Sequence, residues 1–269
     1  MKNTYKLLIA YDGTHYSGWQ VQSNGTSIQE LIEKALSTAL RAPTPIQGSG
    51  RTDAGVHAYG QTAHFTHEHP LDLYKLQGSL NGLLPHDIRI CSIEEAPADF
   101  HARYSATGKI YHYYLHLDPI LDPFFKQYRY HVPHRVDLFL LEKAAAQCVG
   151  THDFTSFSHE AHSGSAAKNP VRTIHRLQIV PIPKGIRLEF EGNGFLYKMV
   201  RNLVGTLLDI SYGKIPLKSL PEIFAAKDRR KAGRTAPPHG LFLIKVNYPS
   251  STLESDSKCT AFSLAHSET

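Results

Sequence analysis

Tyr5-Lys6-Leu7-Leu8-Ile9-Ala10-Tyr11 is a short, mostly apolar run that reads as a strand, and Asp12-Gly13 ends it with a turn. Beyond Ser27 the pattern changes. Ile28, Leu31, Ile32, Ala35, Leu36, Ala39 and Leu40 recur at helical spacing; Ser27 and Glu30 form a capping box, and Pro43 and Pro45 close the segment. Short strands are predicted over 46–49 and 61–66, on either side of a glycine-punctuated loop. A helix over 71–84, interrupted at Gly78 and stopped by Pro85, leads to a strand over 88–93. The order is β-α-β-β-α-β. The rest of the chain repeats it with larger insertions: a strand over 111–117, a helix over 138–148 and a loop-rich stretch over 151–170. A hairpin of 173–182 and 186–191 turns at Pro183-Lys184-Gly185, and helices over 195–210 and 217–226 precede a closing strand over 241–246. Such tandem units predict an α+β chain of two ferredoxin-like halves sharing an extended, mainly antiparallel sheet. The division falls near Ser105, giving halves of 1–105 and 106–249. The polar tail, 250–269, is predicted to be disordered, and the Ser-, His- and Lys-rich stretch 158–168 to be a mobile loop.

Composition adds a class and a bias. An apolar fraction of 41% is that of a folded chain, and 269 residues can bury a sizeable core. The net charge of +5 is uneven: residues up to Arg103 carry a net −2 and the remainder +7, with a cluster at Arg229-Arg230-Lys231-Ala232-Gly233-Arg234. That suits a polyanionic partner such as RNA, or an ordinary solvated basic face, and charge alone does not choose. Cys91, Cys148 and Cys259 form no CxxC pair, and no apolar run reaches the ~20 residues of a membrane span. The expectation is a reduced, cytoplasmic protein without a membrane segment. His64, His67 and His69 lie close in sequence but match neither HExxH nor a zinc finger, so no metal is expected.

The loop Gly48-Ser49-Gly50-Arg51-Thr52-Asp53-Ala54-Gly55-Val56-His57 is the most distinctive segment. Three glycines in eight residues permit a tight path that can present one carboxylate rigidly at a sheet edge. From residue types alone Asp53 is more simply an Asx-turn residue bonded to its own backbone. The loop lacks the Lys-[ST] ending of a phosphate-binding P-loop.

Six ordered segments carry a resemblance that changes this reading. They are 11–20 (Tyr-Asp-Gly-Thr-His-Tyr-Ser-Gly-Trp-Gln), 50–58 (Gly-Arg-Thr-Asp-Ala-Gly-Val-His-Ala), Phe100-His101-Ala102-Arg103 with Tyr111-His112-Tyr113, 153–157, 194–202 and 236–241. Together they resemble the tRNA pseudouridine synthase A family over roughly residues 4 to 248. The resemblance implies isomerisation of uridine to pseudouridine in the tRNA anticodon arm, around positions 38 to 40, without cofactor or metal, by a homodimer. It implies that Asp53 is the nucleophile of a covalent intermediate, ionised yet lightly solvated, with an adjacent cation favouring the charged form.

The same resemblance assigns that cation to Arg201, as an ion pair to Asp53, and to Tyr111 the face on which the flipped uracil stacks. Periodicity by itself puts Arg201 on a surface flank, off the stripe Leu196, Met199, Val200, Leu203, Leu207, and packing in the core is the usual role of any one tyrosine in the strand of Tyr111, Tyr113 and Tyr114. Further substrate contacts are implied at Arg51, Arg103, Lys109 and Lys198, with Leu241 or Leu243 walling the uracil. Lys109 stands where many members carry arginine, and Pro238 where a smaller residue is common. A different class of function, a non-catalytic RNA-binding or RNA-chaperone protein on the same fold, would lack a working Asp53–Tyr111–Arg201 set.

Overall fold

A computed structural model describes residues 2–23, 25–159 and 169–249. The predicted tail lies outside these, as does most of the predicted mobile loop, residues 160–168. Among the described residues no helix is long and apolar enough to cross a membrane. Contacts divide the chain into two compact units, one of residues up to Thr107 together with those from Phe242 on, the other Gly108–Leu241.

In the first unit, β1 (Asn3–Tyr11) leads through the capped helix α1 (Ile28–Leu40) to β2 (Gln47–Gly48) and β3 (His57–His67), then to α2 (Leu73–Leu83) and β4 (Ile88–Ala96). The Ser27 hydroxyl accepts the Glu30 N–H at 3.3 Å, so the predicted cap forms, and Arg41 in the left-handed region ends α1 ahead of the prolines. The strand order β4-β1-β3-β2 is antiparallel at every step, the order of a ferredoxin-like unit. Tyr5, Leu7 and Ile9 on β1 and Phe65 on β3 join Ile28, Ile32 and Leu36 of α1 in a solvent-free core. Gly78 does not interrupt α2: it faces open space, so its only penalty is backbone entropy, about 1 kcal/mol against alanine. β3 is longer than predicted because it begins directly at His57, where the glycine-rich loop ends.

The second unit opens with β5 (Gly108–His116), on whose end β6 (Tyr130–His131) adds in parallel. Helix α3 (Leu138–Cys148) follows, then β7 (Gly150–Asp153), β8 (Val171–Ile182) and β9 (Gly185–Gly192) in the antiparallel order β5-β9-β8-β7. The predicted hairpin is present, with Lys184 in the left-handed region at its turn. Helix α4 runs over Met199–Ser211 rather than from Phe195: Lys198, at φ 59°, is a left-handed N-cap that no helix can run through. A short 3-10 turn (Leu217–Ser219) precedes α5 (Leu220–Ala226), which has Pro221 in its first turn.

The last strand, β10 (Leu241–Asn247), pairs in parallel with β3, Phe242 opposite His57 and Leu243 opposite Ala58. The Phe242 ring stacks on His57 at 4.6 Å, and Tyr248 donates to the Ala102 carbonyl at 2.6 Å. These contacts group the end of the chain with the first unit, unlike the expected division in which 106–249 stood together. β3 thus shares one edge between β2, at His64 and Ala63, and β10, at His57 and Ala58.

Candidate active site

Asp53 sits at the centre of the loop between β2 and β3, half-buried, with exposed Arg51 and Ala54 around it and Thr52 turned inward. The fastenings of this loop come from distant sequence. Gln61, fully buried on β3, donates to the Gly50 carbonyl at 3.0 Å and accepts from the Ser49 hydroxyl at 2.7 Å. The Thr52 carbonyl accepts the Trp19 N–H at 3.1 Å, and the Thr52 hydroxyl shares a 2.7 Å hydrogen bond with the Tyr11 phenol. The Asp53 carbonyl accepts from Val56 N–H at 3.1 Å, closing a turn that passes through Gly55 at φ 75°. His57 Nδ1 accepts the Gly13 N–H at 3.1 Å and lies 3.0 Å from the Asp12 carboxylate.

The seat under this loop is the segment from Tyr11 to Trp19. Gly18 adopts φ +94°, and a Cβ there would stand 2.6 Å from the Thr52 carbonyl oxygen and 3.1 Å from the Ala54 nitrogen. No side chain fits, which is what lets the 52–54 backbone lie directly on it. Burial holds the Tyr11 phenol well above its ordinary pKa, the Thr52 hydrogen bond acting against that rise. It is therefore a neutral hydrogen-bonding group at any working pH.

In the second unit Tyr111 lies on β5 opposite Phe190 and meets the Phe195 ring edge-to-face at 5.2 Å, with 7% of its surface exposed. Tyr113 is a core residue, as the pattern allowed: it is fully buried and donates to the Pro237 carbonyl at 2.7 Å. Lys109, at the start of β5, is half-buried opposite Gly192.

Arg201 shows where periodicity misleads. Every other residue of α4 is buried, including Asn202, Thr206, Asp209 and Ser211, so the flank expected to face solvent is covered. The cover is the segment 229–236, which contains the basic cluster. Asn202 donates to the Phe157 carbonyl at 2.7 Å and accepts from Thr235 at 2.7 Å and Arg229 at 3.1 Å. Thr206 accepts the Gly233 N–H at 2.9 Å, and Asp209 lies 3.7 Å from the Arg234 guanidinium. Arg201 is bound to the same segment twice: its Nε donates to the Ala236 carbonyl at 2.8 Å, and its own carbonyl accepts the Ala236 N–H at 3.0 Å. Gly205 is where the segment touches the helix, since a Cβ there would overlap the Arg234 carbonyl.

The basic cluster is thus partly structural. Arg229 and Arg234 are spent on α4, and exposed Arg230 pairs with Asp228, holding that carboxylate at a pKa of about 2. Among the other expected contacts, Arg103 is exposed over the Tyr104 ring, and Lys198 is half-buried over Tyr197. Leu241 and Leu243 are buried at 6% and 1% exposure. His64 accepts the Ala102 N–H and packs on Phe100 and His101, whereas His67 and His69 bond locally near the surface. Among the described residues no group of three or more His, Cys, Asp or Glu is placed to hold a metal ion. The anchors Tyr11, Trp19 and Gln61 were invisible to period and spacing because each acts from outside the loop, across 41 residues for Tyr11 and Thr52 and 11 for Gln61 and Gly50.

The family model described as tRNA pseudouridine synthase matches residues 7–105 and 144–249. A protein of Protochlamydia amoebophila named tRNA pseudouridine synthase A 1 is 58% identical over 245 residues, covering 91% of this chain and 96% of the relative. Proteins named tRNA pseudouridine synthase A from Chlamydia muridarum (47% identical; 91% of each chain covered) and Acetivibrio thermocellus (42%; 92% of this chain, 100% of the relative) are similar along the same length.

Proposed function

Because the chain belongs to the tRNA pseudouridine synthase family, we propose that Asp53 is the nucleophile with which it converts uridine to pseudouridine in tRNA. The protein is an isomerase. In the reaction the bond from uracil N1 to C1′ of the ribose breaks, the uracil turns, and a bond forms from C5 to C1′. The C5 proton leaves and N1 regains one, so substrate and product have the same atoms. That balance asks for a covalent holding group rather than for a redox partner or a hydrolytic water.

The observation that carries the assignment is the seating of Asp53: a half-exposed carboxylate between neighbours that are fastened at Gly50, Thr52 and Val56. A nucleophile held this way keeps its geometry while the target nucleotide enters. Arg201 is the ion-pair partner assigned to Asp53, and its Nε bond to the Ala236 carbonyl limits how the guanidinium can turn. Tyr111 offers its face to the uracil once the base has left its stack. Exposed Arg51 and Arg103, with Lys109 and Lys198, bind RNA phosphates, and Leu241 or Leu243 walls the base. The target lies in the anticodon arm, around positions 38 to 40, and the enzyme works in the cytoplasm.

Tritium release from tRNA labelled as [5-³H]uridine tests the reaction, because only isomerisation expels the C5 label while leaving the base attached. The expected result is label in water without free uracil. Free uracil would mean hydrolysis, and binding without release would mean a non-catalytic RNA-binding protein. The working form is a homodimer in which one protomer's basic surface supports the tRNA that the other modifies. Light scattering should give twice the 30.1 kDa chain mass, and a catalytically active monomer would exclude that arrangement.

A further inference from the structure

We propose that the Tyr11 hydroxyl is a positioning group for the reaction: through its hydrogen bond to Thr52 it sets the direction in which the neighbouring Asp53 carboxylate points. The inference rests on the nucleophile role proposed for Asp53 and adds a residue outside the catalytic loop to the machinery.

Thr52 is fastened through both its backbone and its side chain. Its backbone carbonyl is fixed by Trp19 and its side chain by Tyr11, so both ends of the residue before Asp53 are bound to the same seat. Tyr11 and Thr52 are both buried, at 5% and 7% exposure, so water does not replace their hydrogen bond when it is lost. Tyr11 is itself rigid. It is the last residue of β1, paired with Ala58 just past the catalytic loop, and its ring lies against that of Trp19 at 6.2 Å. The strand pairing thus sets where the phenol oxygen stands, and the oxygen sets where Thr52 stands.

A purely structural reading assigns this bond to stability alone. Burial of the Tyr11 ring already accounts for its packing, and the ring would pack equally well as phenylalanine. The hydroxyl adds hydrogen bonds to Thr52, the residue adjoining the nucleophile, and to Gln61, which fastens Gly50 in the same loop. On the other side of Asp53, Ala54 is exposed, and the backbone turns through Gly55 to the Val56 N–H that the Asp53 carbonyl accepts. The Thr52 hydroxyl is the side-chain fastening nearest to Asp53 on its N-terminal side, and its loss lets the carboxylate shift without unfolding the loop, since Gln61 still holds Gly50 and the Trp19 N–H still holds the Thr52 carbonyl. Misplacement of a reacting group by about 1 Å can lower turnover on the order of 100-fold.

The test is a double-mutant cycle on the full-length protein with Tyr11→Phe, Thr52→Val and their combination, with Thr52→Ser as the conservative variant. The expected result is a loss in kcat of roughly 10- to 100-fold for each single variant. KM and tRNA binding should stay within about twofold, and the double variant should be no worse than the poorer single one. Thr52→Ser, which keeps the hydroxyl, should recover most of kcat. Urea unfolding of the same variants separates a positioning effect from loss of the folded state. Wild-type kcat in Tyr11→Phe, losses that multiply in the double variant, or a rise in KM with kcat intact would each overturn the proposal. Asp53→Asn run alongside distinguishes the two levels. If it still turns over, the nucleophile assignment fails and this inference with it. If it is inactive while Tyr11→Phe is wild type, only the positioning role fails.

Discussion

Replacing Asp53 with asparagine is expected to lower tritium release from labelled tRNA by on the order of 10⁴-fold or more, the scale on which removal of a covalent nucleophile acts. Asparagine has nearly the shape of aspartate but no charge to share with the breaking glycosidic bond. The fastenings of the loop run through Ser49, Gly50, Thr52, Val56 and His57, none of which uses the Asp53 side chain. Those bonds remain in the variant, which should fold, and filter binding should give a tRNA affinity within a few-fold of the parent. Equal losses of affinity and turnover would instead make Asp53 a binding residue.

The second large effect falls on stability and concerns Gly205. In the interior of an exposed helix, glycine to alanine stabilises by about 1 kcal/mol, because alanine loses less backbone entropy on folding. Here the added Cβ meets the Arg234 carbonyl, a backbone atom of the segment lying on α4. Something must move, and the available movement lifts 233–236 away from Thr206 and Arg201. Gly205→Ala is expected to destabilise by about 2 kcal/mol or more, the clash outweighing the propensity gain. The sign is the informative part. A shift of the urea midpoint upward would show that the segment does not sit where the two glycines at 205 and 233 allow it to sit.

Much of this architecture was legible from pattern. The cap at Ser27, the helix over 138–148 and the hairpin at Lys184 follow from local rules, and local interactions form them. The molecule departs from the pattern where one backbone conformation or a distant segment overrides it. Phe195 to Lys198 carries a helical apolar spacing, yet the left-handed Lys198 delays α4 until Met199. Arg201 looked solvent-facing because the segment that covers its flank lies some thirty residues later. The basic cluster at 229–234 looked like a free cationic surface, but two of its arginines are committed to α4. β10 reaches back to pair with β3, which no local signal announces.

The site was legible in a different way. Composition and spacing favoured a mere turn at Asp53, and only the ordered resemblance marked it as reactive. The folded chain adds the reason such a loop can carry a nucleophile: a seat built from Tyr11, Gly18 and Trp19, with Gln61 fastening the other side. Each of these residues reads as ordinary core or turn until the loop is laid upon it.

The central claim, that Asp53 forms the covalent bond, is tested most directly by trapping. Fluorine in place of the C5 hydrogen of the target uridine blocks the final proton loss, so an adduct in which the Asp53 carboxylate has added to uracil C6 should accumulate, whereas a carboxylate bonded to C1′ would be displaced when the C5–C1′ bond forms. After incubation with tRNA carrying 5-fluorouridine, digestion and peptide mass spectrometry should place the nucleotide on the peptide that contains Asp53, with none formed by Asp53→Asn. A nucleotide attached to any other residue, or an adduct that persists in Asp53→Asn, would contradict the account.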